Sequence, residues 1–346
     1  MTDELTFVTG AAGFIGSHVV RLLRARRDRV RILVRDPSRV ENIEGLGCEI
    51  VQGDLRDSAS LVRCIQGCRW VYHVGADYRL WSPNPQEIYA SNVAGTRNLL
   101  SACCEAGVEK VVYTSTVGTI GLRPDGVPTD ESTPVSLDDM IGHYKRSKFM
   151  AEQVALEFAR SGLPVVIVNP TAPVGYGDLK PTPTGKIVLD FLRGRLPAYV
   201  DTGLNIVSVE DVAQGHLLAE SKGSIGERYI LGGENLTLQE ILDILARMCG
   251  SRIPRFPMPW FVALIAGYLN QFFVGTILRR EPPIPLDGVR MARYKMFVSS
   301  AKACRELGYS PKPAEQALRD AVDYFRGDWR THAAQARVSN VRAGAA

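Results

Sequence analysis

A glycine-rich turn near the start of the chain constrains the fold more than any other feature. The apolar segment Leu5–Thr9 is followed by Gly10-Ala11-Ala12-Gly13-Phe14-Ile15-Gly16, and an amphipathic pattern then predicts a helix over 17–26. Glycines in such a turn let the backbone approach a pyrophosphate, and the amides at the helix start favour phosphate groups. The order strand, glycine turn, helix therefore predicts a dinucleotide site. Its expected contacts are Gly10, Gly13, Phe14, Ile15 and Gly16.

Strands and helices continue to alternate through the first half of the chain. Further apolar segments predict strands at 30–34, 48–52, 70–74, 110–115 and 165–169, with helical patterns between them. Such alternation is typical of an α/β fold, here a Rossmann-type doubly wound parallel sheet. Beyond a Pro- and Gly-rich region, the pattern strand, helix, strand returns over 206–232, and we expect this part to rejoin the first sheet.

A smaller, mostly helical C-terminal substrate domain is expected to follow. Thr237 and Glu240 form a potential capping box and Gly250 a potential C-terminal stop, so a helix is predicted over 237–249. We predict a dinucleotide-binding domain of residues 1–173 plus 206–233. We also predict a substrate or lid domain of residues 174–205 plus 234–330 and a disordered tail over 331–346.

A tyrosine and a lysine stand four residues apart at Tyr144 and Lys148. On a helix, side chains with this spacing leave the same face one turn apart. An ammonium held near a phenol favours the phenolate and lowers the tyrosine pKa from its usual value of about 10, which suits proton transfer near neutral pH. The fifth strand ends in hydroxyls that could hold a substrate oxygen beside Tyr144. Thr116 is the first candidate and Ser115 the second.

The residues after the second strand bear on which dinucleotide is bound. NAD-binding sheets commonly end this strand with an acid that binds the ribose hydroxyls. This chain has Arg35 there, with Ser38 and Arg39 close by. Because these side chains can bind a 2′-phosphate through charge-assisted hydrogen bonds, we favour NADP(H). Asp36 keeps NAD(H) as the alternative, since it could face a ribose.

Two further strand ends are expected to contact the cofactor, since open α/β sheets bind ligands at the carboxyl ends of their strands. Asp54 can accept a hydrogen bond from the adenine amino group, and Leu55 can pack on the ring. Gly75 and Ala76, after the fourth strand, are small enough to let the cofactor pass.

Composition argues against several classes of function. The net charge of +4 on 346 residues is too small to indicate nucleic-acid binding. The seven cysteines contain no Cys-x-x-Cys pair, so we expect reduced thiols and no metal site. Because the first strand begins almost at once, we expect no signal peptide and a cytoplasmic protein.

One apolar stretch, residues 258–278, is long enough to span a bilayer. It is interrupted by proline, glycine and amide residues, so we favour a buried or capping helix. A helix lying on a membrane surface, which would give a peripheral membrane contact, is the second interpretation, and a true span is the third.

Taken together, the motifs resemble those of the extended short-chain dehydrogenases/reductases. They are Gly10-x-x-Gly13-x-x-Gly16, Asp54-Leu55, Asn92-Val-x-Gly95-Thr96-x-Asn98-Leu99, Thr114-Ser115-Thr116, Tyr144-x-x-x-Lys148 and Asn169-Pro170-Thr171-Ala172-Pro173-Val174-Gly175. The resemblance implies that Tyr144 is the acid/base, that Lys148 lowers its pKa and holds the nicotinamide ribose, and that Thr116 orients the substrate. It also implies cofactor contacts from Asn92, Thr114, Ser115, Pro170, Thr171 and Val174.

Longer runs at 76–81, 138–148, 180–185 and 229–235 resemble the hopanoid-associated sugar epimerases, bacterial relatives of dihydroflavonol reductase. This resemblance implies a sugar epimerase/oxidoreductase in hopanoid lipid biosynthesis, acting on a sugar nucleotide, a glycolipid or a ketone. Arg35 instead fits the dihydroflavonol-reductase pattern, so an NADPH-dependent ketone reductase remains an alternative. A non-catalytic dinucleotide sensor is a third reading. Relatives also imply a homodimer through helices 92–107 and 144–160.

Polar and aromatic residues in the loops around the expected cleft are candidates for substrate contacts, although each could equally be a surface residue. They are Tyr78, Arg79, Trp81, His143, Lys180, Thr182, Thr184, Tyr199, Asn205 and Arg293.

Overall fold

The computed structural model describes residues 4–38, 40–123, 125–251 and 256–327. The strands are β1 Leu5–Thr9, β2 Arg29–Val34, β3 Glu49–Gln52, β4 Cys68–His73, β5 Lys110–Thr114, β6 Val165–Pro170, β7 Ala172–Val174, β8 Tyr199–Val200, β9 Gly203–Ser208, β10 Arg228–Leu231, β11 Glu234–Thr237 and β12 Pro257–Met258. The α-helices are α1 Phe14–Ala25, α2 Ser58–Ile65, α3 Gln86–Tyr89, α4 Gly95–Ala106, α5 Gly142–Arg160, α6 Pro183–Leu192, α7 Val209–Lys222, α8 Leu238–Cys249, α9 Trp260–Asn270, α10 Leu286–Met291, α11 Ala301–Leu307 and α12 Ala314–Arg326. The predicted tail over 331–346 lies outside the described residues.

Seven strands form a parallel sheet in the order β10-β6-β5-β4-β1-β2-β3. β1 and β6 are buried along their whole length, as expected where helices cover both faces of a parallel sheet. The strand order changes direction between β1 and β4, and open α/β sheets bind their ligands at such a switch point. The predicted Rossmann-type fold is confirmed, and the C-terminal part is mostly helical.

Apolar side chains fill both faces of this sheet. One cluster packs Val19 and Leu23 of α1 together with residues of α7. Another packs Leu61 of α2 with Leu99 of α4. A third cluster joins residues of α6, α8 and α12 in the C-terminal part. The helix start predicted at Thr237 is confirmed, because its side chain caps α8 in a capping box with Glu240 and Gly250 follows with φ +62°.

The prediction that residues 206–232 rejoin the first sheet is wrong for the first strand. β9 pairs with β7 and β11 in a separate three-stranded sheet, while β10 does join the main sheet. Ile206 of β9 accordingly belongs to the third apolar cluster. The partner of a short strand is decided by tertiary packing, which the local pattern does not contain.

The apolar stretch after residue 258 is exposed rather than buried. It forms α9 and a π-helical continuation, Gln271–Ile277, and 11% of the window Trp260–Ile277 is buried. By length and composition this window could cross a membrane, but a single such helix is weak evidence for a span. Burial, one half of the favoured interpretation as a buried or capping helix, is therefore wrong: within α9 only Ala263 and Gly267 are buried, and Trp260 and Tyr268 are hydrogen-bonded to α10.

Gly10→Ala should destabilise the protein far more than Gly45→Ala. Both glycines have positive φ, +68° and +75°, but a Cβ on Gly10 would lie 2.6 Å from the Gly75 Cα, whereas Gly45 faces open space. We expect a loss of about 1 kcal/mol in unfolding free energy for Gly45→Ala and about 3 kcal/mol or more for Gly10→Ala. Urea unfolding of both variants measures this, and equal losses would contradict the tight contact between the two strand ends.

Candidate active site

Three glycines, Gly10, Gly16 and Gly75, lie where β1 and β4 end and α1 begins, and each has backbone so close that a side chain would not fit. Gly10 lies against Gly75, and a Cβ on Gly16 would collide with the Gly10 carbonyl. The Gly75 amide donates to Thr9 Oγ1 at 3.1 Å, which holds the two strand ends together. Ala76 follows and is exposed. This cradle of backbone is the close-approach surface that the glycine spacing predicts.

Helix α1 begins directly at this cradle. Gly13 is its N-cap, and within the described chain no side chain caps its first turn. The first amides are therefore available to a phosphate, and the positive end of the helix dipole lies at the same place. Ile15 packs on the apolar cluster of the sheet, while the Phe14 ring meets His18 edge to face. Phe14 and Ile15 thus offer backbone, rather than polar side chains, to the predicted site.

The loop after β2 presents an arginine to solvent. Arg35 is exposed, and the Asp36 carboxylate accepts hydrogen bonds from the Ser38 amide at 3.0 Å and the Ser38 hydroxyl at 2.6 Å. Arg35 and Asp36, the two candidates for contact with the adenosine ribose, therefore differ in their surroundings. The Asp36 carboxylate is hydrogen-bonded within its own turn, while the Arg35 guanidinium lies on the surface. Arg39 lies outside the described residues.

Asp54 and Leu55 follow β3, as expected. The Asp54 carboxylate is paired with Arg56 at 2.6 Å, and this hydrogen bond holds its pKa below the ordinary value. Leu55 packs between Gly75 and Gly95, where a side chain on either glycine would touch it. The leucine therefore lines the crevice beside the cradle, and its contact with an adenine stays a prediction.

Tyr144 and Lys148 lie on α5, and the structure brings Thr116 to them. The Thr116 hydroxyl lies beside the Tyr144 phenol, where it acts to lower the pKa of the phenol, and Thr116 Oγ1 accepts from the Gly118 amide at 3.1 Å. This contact supports the choice of Thr116 over Ser115. Lys148 is 3% exposed and its ammonium donates to the Tyr113 hydroxyl at 3.0 Å and to the Thr114 carbonyl at 2.8 Å.

The expectation that Lys148 lowers the Tyr144 pKa is wrong for this arrangement. Burial raises the pKa of Tyr144, and the hydrogen bond from Thr116 opposes this only in part. Burial also lowers the pKa of Lys148 to about 8, against the attraction of Glu152. The cause is geometric: the spacing does put both residues on one helix, but the long lysine side chain reaches to β5 and bonds there.

A series of buried polar side chains runs from Lys148 to the glycine cradle, and sequence reasoning missed it. The Thr96 hydroxyl lies beside Tyr113 and acts to lower its pKa, Thr96 Oγ1 lies 3.0 Å from His73 Nε2, and His73 Nδ1 lies 2.8 Å from Thr9 Oγ1. Burial lowers the pKa of His73 to about 3, so its ring is neutral. Because Thr9 accepts from Gly75, its own proton can go to Nδ1, which leaves the ring proton on Nε2. No spacing in the sequence marks such a set.

Thr114 and Ser115 are buried at the end of β5. The Thr114 hydroxyl lies 2.9 Å from His216 Nε2, and Ser115 Oγ lies 3.4 Å from Thr119 Oγ1. Both hydroxyls are therefore engaged by protein, and what Thr114 offers the site is its carbonyl, which holds Lys148. Direct cofactor contacts from these two residues stay predictions.

Asn92 is buried in the π-helical segment Ala90–Ala94. Its amide oxygen accepts from the Asp77 amide at 2.7 Å, and its nitrogen donates to the Asp77 carbonyl at 2.9 Å and to Ser147 Oγ at 2.9 Å. These three bonds tie the loop after β4 to the catalytic helix α5. They give Asn92 a positioning role, and its predicted contact with the cofactor is untested.

The turn from β6 to β7 borders the site as the motif implies. Pro170 ends β6 and Val174 ends β7, with its side chain buried in the third apolar cluster, so only its backbone can face a ligand. Thr171 lies between them, and its hydroxyl is buried with no hydrogen-bond partner within the described chain. Such an orphaned hydroxyl points to a polar ligand group at this turn.

Several residues expected around the cleft have structural roles instead. The Asn205 side chain is buried and bonded to Gly233 and Asn235, and Thr182 is the N-cap of α6. Arg79 pairs with Asp77 and Glu87, while Arg293 lies over the Trp260 ring. His143 is exposed and its Nδ1 lies 3.1 Å from the Tyr89 hydroxyl. Tyr199 of β8 packs on the third apolar cluster. Substrate contacts from the remaining loop residues stay predictions: Tyr78, Trp81, Lys180 and Thr184.

The residues present fit a dinucleotide. A side chain on any of the three glycines would fill the space that a pyrophosphate needs. Among the described residues, no side chain caps the first turn of α1 and no group forms a hydrogen bond with the Thr171 hydroxyl. Tyr144, Thr116 and Lys148 lie together beyond the cradle, at the carboxyl edge of the sheet. The fold and this site define a dinucleotide-dependent oxidoreductase.

The chain belongs to the NAD dependent epimerase/dehydratase family, whose model matches residues 6–232. A Synechocystis sp. protein assigned by name to the dihydroflavonol 4-reductases is 45% identical over 92% of this chain and 94% of that protein. Sterol demethylase protein B of Methylococcus capsulatus is 37% identical over 93% of this chain and 98% of that protein. The structure of PA4631, a nucleoside-diphosphate-sugar epimerase from Pseudomonas aeruginosa, matches with a TM-score of 0.77 and 28% identity, covering 94% of this chain and 99% of that one. The inferred membership of the extended short-chain dehydrogenases/reductases is confirmed.

Thr116→Val should lower kcat/KM about 100-fold for the first ketone or alcohol that the enzyme turns over, because it removes one of two donors to the reacting oxygen. Tyr144→Phe should cost about 10²–10⁴-fold, as expected for loss of an acid/base. Ser115→Ala is the matched control, since its hydroxyl faces Thr119. A Ser115→Ala loss larger than that of Thr116→Val would reverse the assignment.

Lys148→Met should abolish turnover and also change how the free energy of unfolding depends on pH, because it removes a buried ammonium group. A folded pKa near 8, below the ordinary 10.5, means that the unfolded chain binds more protons between these values, so wild-type stability rises with pH in that window. Relative to Lys148→Met, wild type should gain up to about 3 kcal/mol from pH 8 to 10.5. Denaturant unfolding at both pH values measures the difference, and a flat difference would contradict burial of the charge.

Lys145→Met is the control for catalysis in this experiment. Burial lowers the Lys145 pKa to about 8 as well, on the same helix. The same dependence of stability on pH is therefore expected, but with turnover retained.

Proposed function

We propose that this protein is an NADP(H)-dependent oxidoreductase that transfers hydride at a carbonyl or secondary alcohol carbon, with net reduction of a ketone as its main reaction. The placement of the Thr116 hydroxyl beside the Tyr144 phenol, one helical turn from buried Lys148, carries the proposal. A bound nicotinamide would supply or accept the hydride. The cradle of glycines, the start of α1 and Thr171 would hold that cofactor.

In the reduction direction, Thr116 and Tyr144 would donate to the same substrate oxygen. As hydride reaches the carbon, charge grows on this oxygen, and the Tyr144 phenol passes its proton to it. A phenol whose pKa is raised by burial stays protonated at neutral pH, which suits a proton donor. The raised pKa of Tyr144 therefore supports its role as the proton donor.

Selectivity for the phosphorylated cofactor would come from Arg35. Its guanidinium is exposed at the end of β2, where a ribose 2′-phosphate is expected, while Oδ1 of the Asp36 carboxylate accepts from the Ser38 amide and hydroxyl in its own turn. An arginine pairs with phosphate through short charge-assisted bonds. One relative is named as a reductase, which supports net reduction.

Sugar epimerisation is the second candidate, favoured by the match to the nucleoside-diphosphate-sugar epimerase from Pseudomonas aeruginosa. The same three residues would then act twice at one carbon, with the cofactor retained. Under either reaction, we propose a substrate attached to a lipid, in keeping with the sterol-related relative and the implied place in hopanoid lipid biosynthesis. We further propose the two-domain division given above, with β9 moved to the smaller domain, and a cytoplasmic homodimer built on α4 and α5.

Arg35→Ser should weaken NADPH binding by about 10- to 100-fold and leave NADH binding nearly unchanged, because only NADPH loses a charge-assisted bond. Isothermal titration with both cofactors gives the NADPH/NADH affinity ratio. Arg56→Gln is the matched control: this arginine is exposed near the same crevice and holds Asp54, so it should affect both cofactors alike.

An unchanged NADPH/NADH ratio in Arg35→Ser would refute the assignment of cofactor selectivity. Consumption of added NADPH with one equivalent of alcohol formed would support net reduction. Interconversion of two epimers with no net cofactor consumption would establish the second candidate instead.

A further inference from the structure

The segment over residues 256–278 is mostly helical, but it does not bury its large side chains as a core helix does. The residues buried in its helical part are all small: Ala263, Gly267 and Gly275. A Cβ added to Gly267 would lie 3.3 Å from Leu286 of α10, and one added to Gly275 would lie 3.2 Å from Trp81. The rest of the protein therefore packs against the face that carries these small residues, and Trp260 and Tyr268 form hydrogen bonds to α10 beside it.

The large apolar side chains face outward. Successive turns of the helix expose the same stripe, since spacings of three and four residues share a face. Its members are between 49% and 60% exposed: Phe261, Ile265, Tyr268, Leu269, Phe272 and Phe273. A continuous exposed apolar surface of this kind marks a contact with a protein or a membrane.

The distribution of charge favours a membrane. Residues 256–278 contain no Asp, Glu, Lys or Arg, and arginines flank them in the sequence on both sides: Arg252 and Arg255 before, Arg279 and Arg280 after. Apolar and aromatic side chains flanked by basic ones are the composition of helices that lie in the interface of an anionic bilayer. Arg279 and Arg280 are exposed, as this requires.

A second copy of the chain is a less suitable partner for this exposed apolar face than a membrane. Two such segments packed face to face, parallel or antiparallel, would bring the flanking arginines of one copy against those of the other. Like charges at both ends oppose that contact, whereas anionic headgroups would neutralise them. A full span is also disfavoured, because Trp260 Nε1 donates to the Val289 carbonyl at 2.8 Å and holds the segment along α10.

We propose that residues 256–278 dock this protein onto an anionic lipid leaflet, with the helix lying in the plane of the surface. The docked segment borders the catalytic cleft. Gly275 contacts Trp81 in the loop after β4, and the Asp287 carboxylate on α10 lies where a side chain on Gly142, the first residue of α5, would collide with it. The cleft therefore takes its substrate from the leaflet, a consequence that rests on the proposed function.

Sedimentation with vesicles tests the docking without cofactor or substrate. The full chain is mixed with phosphatidylcholine vesicles and with vesicles of phosphatidylcholine and phosphatidylglycerol in equal parts. We expect binding that is tighter on the anionic vesicles. Arg279→Gln with Arg280→Gln should reduce this preference by about 5-fold per arginine.

The triple variant Phe261→Ser, Ile265→Ser, Phe272→Ser should lose at least about 10-fold in vesicle affinity, since these exposed groups would enter the leaflet. The matched control is Val127→Ser with Ile225→Ser, which changes apolar residues 48% and 56% exposed elsewhere. Its binding should equal that of wild type. The docking proposal would be overturned if the wild-type protein bound neither kind of vesicle, or if the triple variant bound vesicles as tightly as wild type. A wild-type dimer that the triple variant dissociates, with no vesicle binding, would assign the face to a second copy.

Activity then separates the docking from the proposed function. The triple variant should reduce a short, water-soluble ketone at the wild-type rate and lose activity on the same ketone carried by a vesicle-embedded chain. Equal activity on both would overturn delivery from the leaflet. Vesicle binding by a wild type that reduces no carbonyl would leave the docking in place and refute the proposed function.

Discussion

The buried Lys148 ammonium is the interaction on which the rest of the site depends. Burying a charge is costly unless hydrogen bonds compensate, and here the Tyr113 hydroxyl and the Thr114 carbonyl do so. Beside Tyr113 lies Thr96, which is bonded to His73, and His73 is bonded to Thr9 at the end of β1. Buried polar side chains therefore extend from α5, with its phenol, to the strand ends that would hold a dinucleotide.

A buried carboxylate fixes the middle of the same helix. Glu152, one turn beyond Lys148, accepts from Thr119 at 2.7 Å and from Asn169 at 2.8 Å, and pairs with Arg228 at 3.2 Å. These bonds attach α5 to the segment after β5 and to β6 and β10. Because the helix is fixed at successive turns, Tyr144 and Thr116 keep their contact without relying on loops, which is the rigidity that proton transfer at a defined atom requires.

The sequence was informative where chemistry depends on local spacing. The glycine turn, the pair Tyr144 and Lys148, and the capped start of α8 could all be predicted, because each is defined within a few residues. His73 and Thr96 could not, since a buried polar pair has no local signature. The hydrogen bonds of Lys148 to β5, rather than to the phenol, also could not be predicted from spacing. Burial was wrongly predicted for residues 256–278 for a related reason: apolar content predicts burial, but only the three-dimensional packing decides which face is covered.

A crystal structure of the protein with NADPH would test the account most directly. We expect the 2′-phosphate within hydrogen-bonding distance of Arg35, the diphosphate on the turn over residues 10–16, and the nicotinamide facing Tyr144 and Thr116. A dinucleotide whose nicotinamide lies away from Tyr144, or whose adenosine ribose is held by Asp36 with Arg35 in solvent, would contradict it.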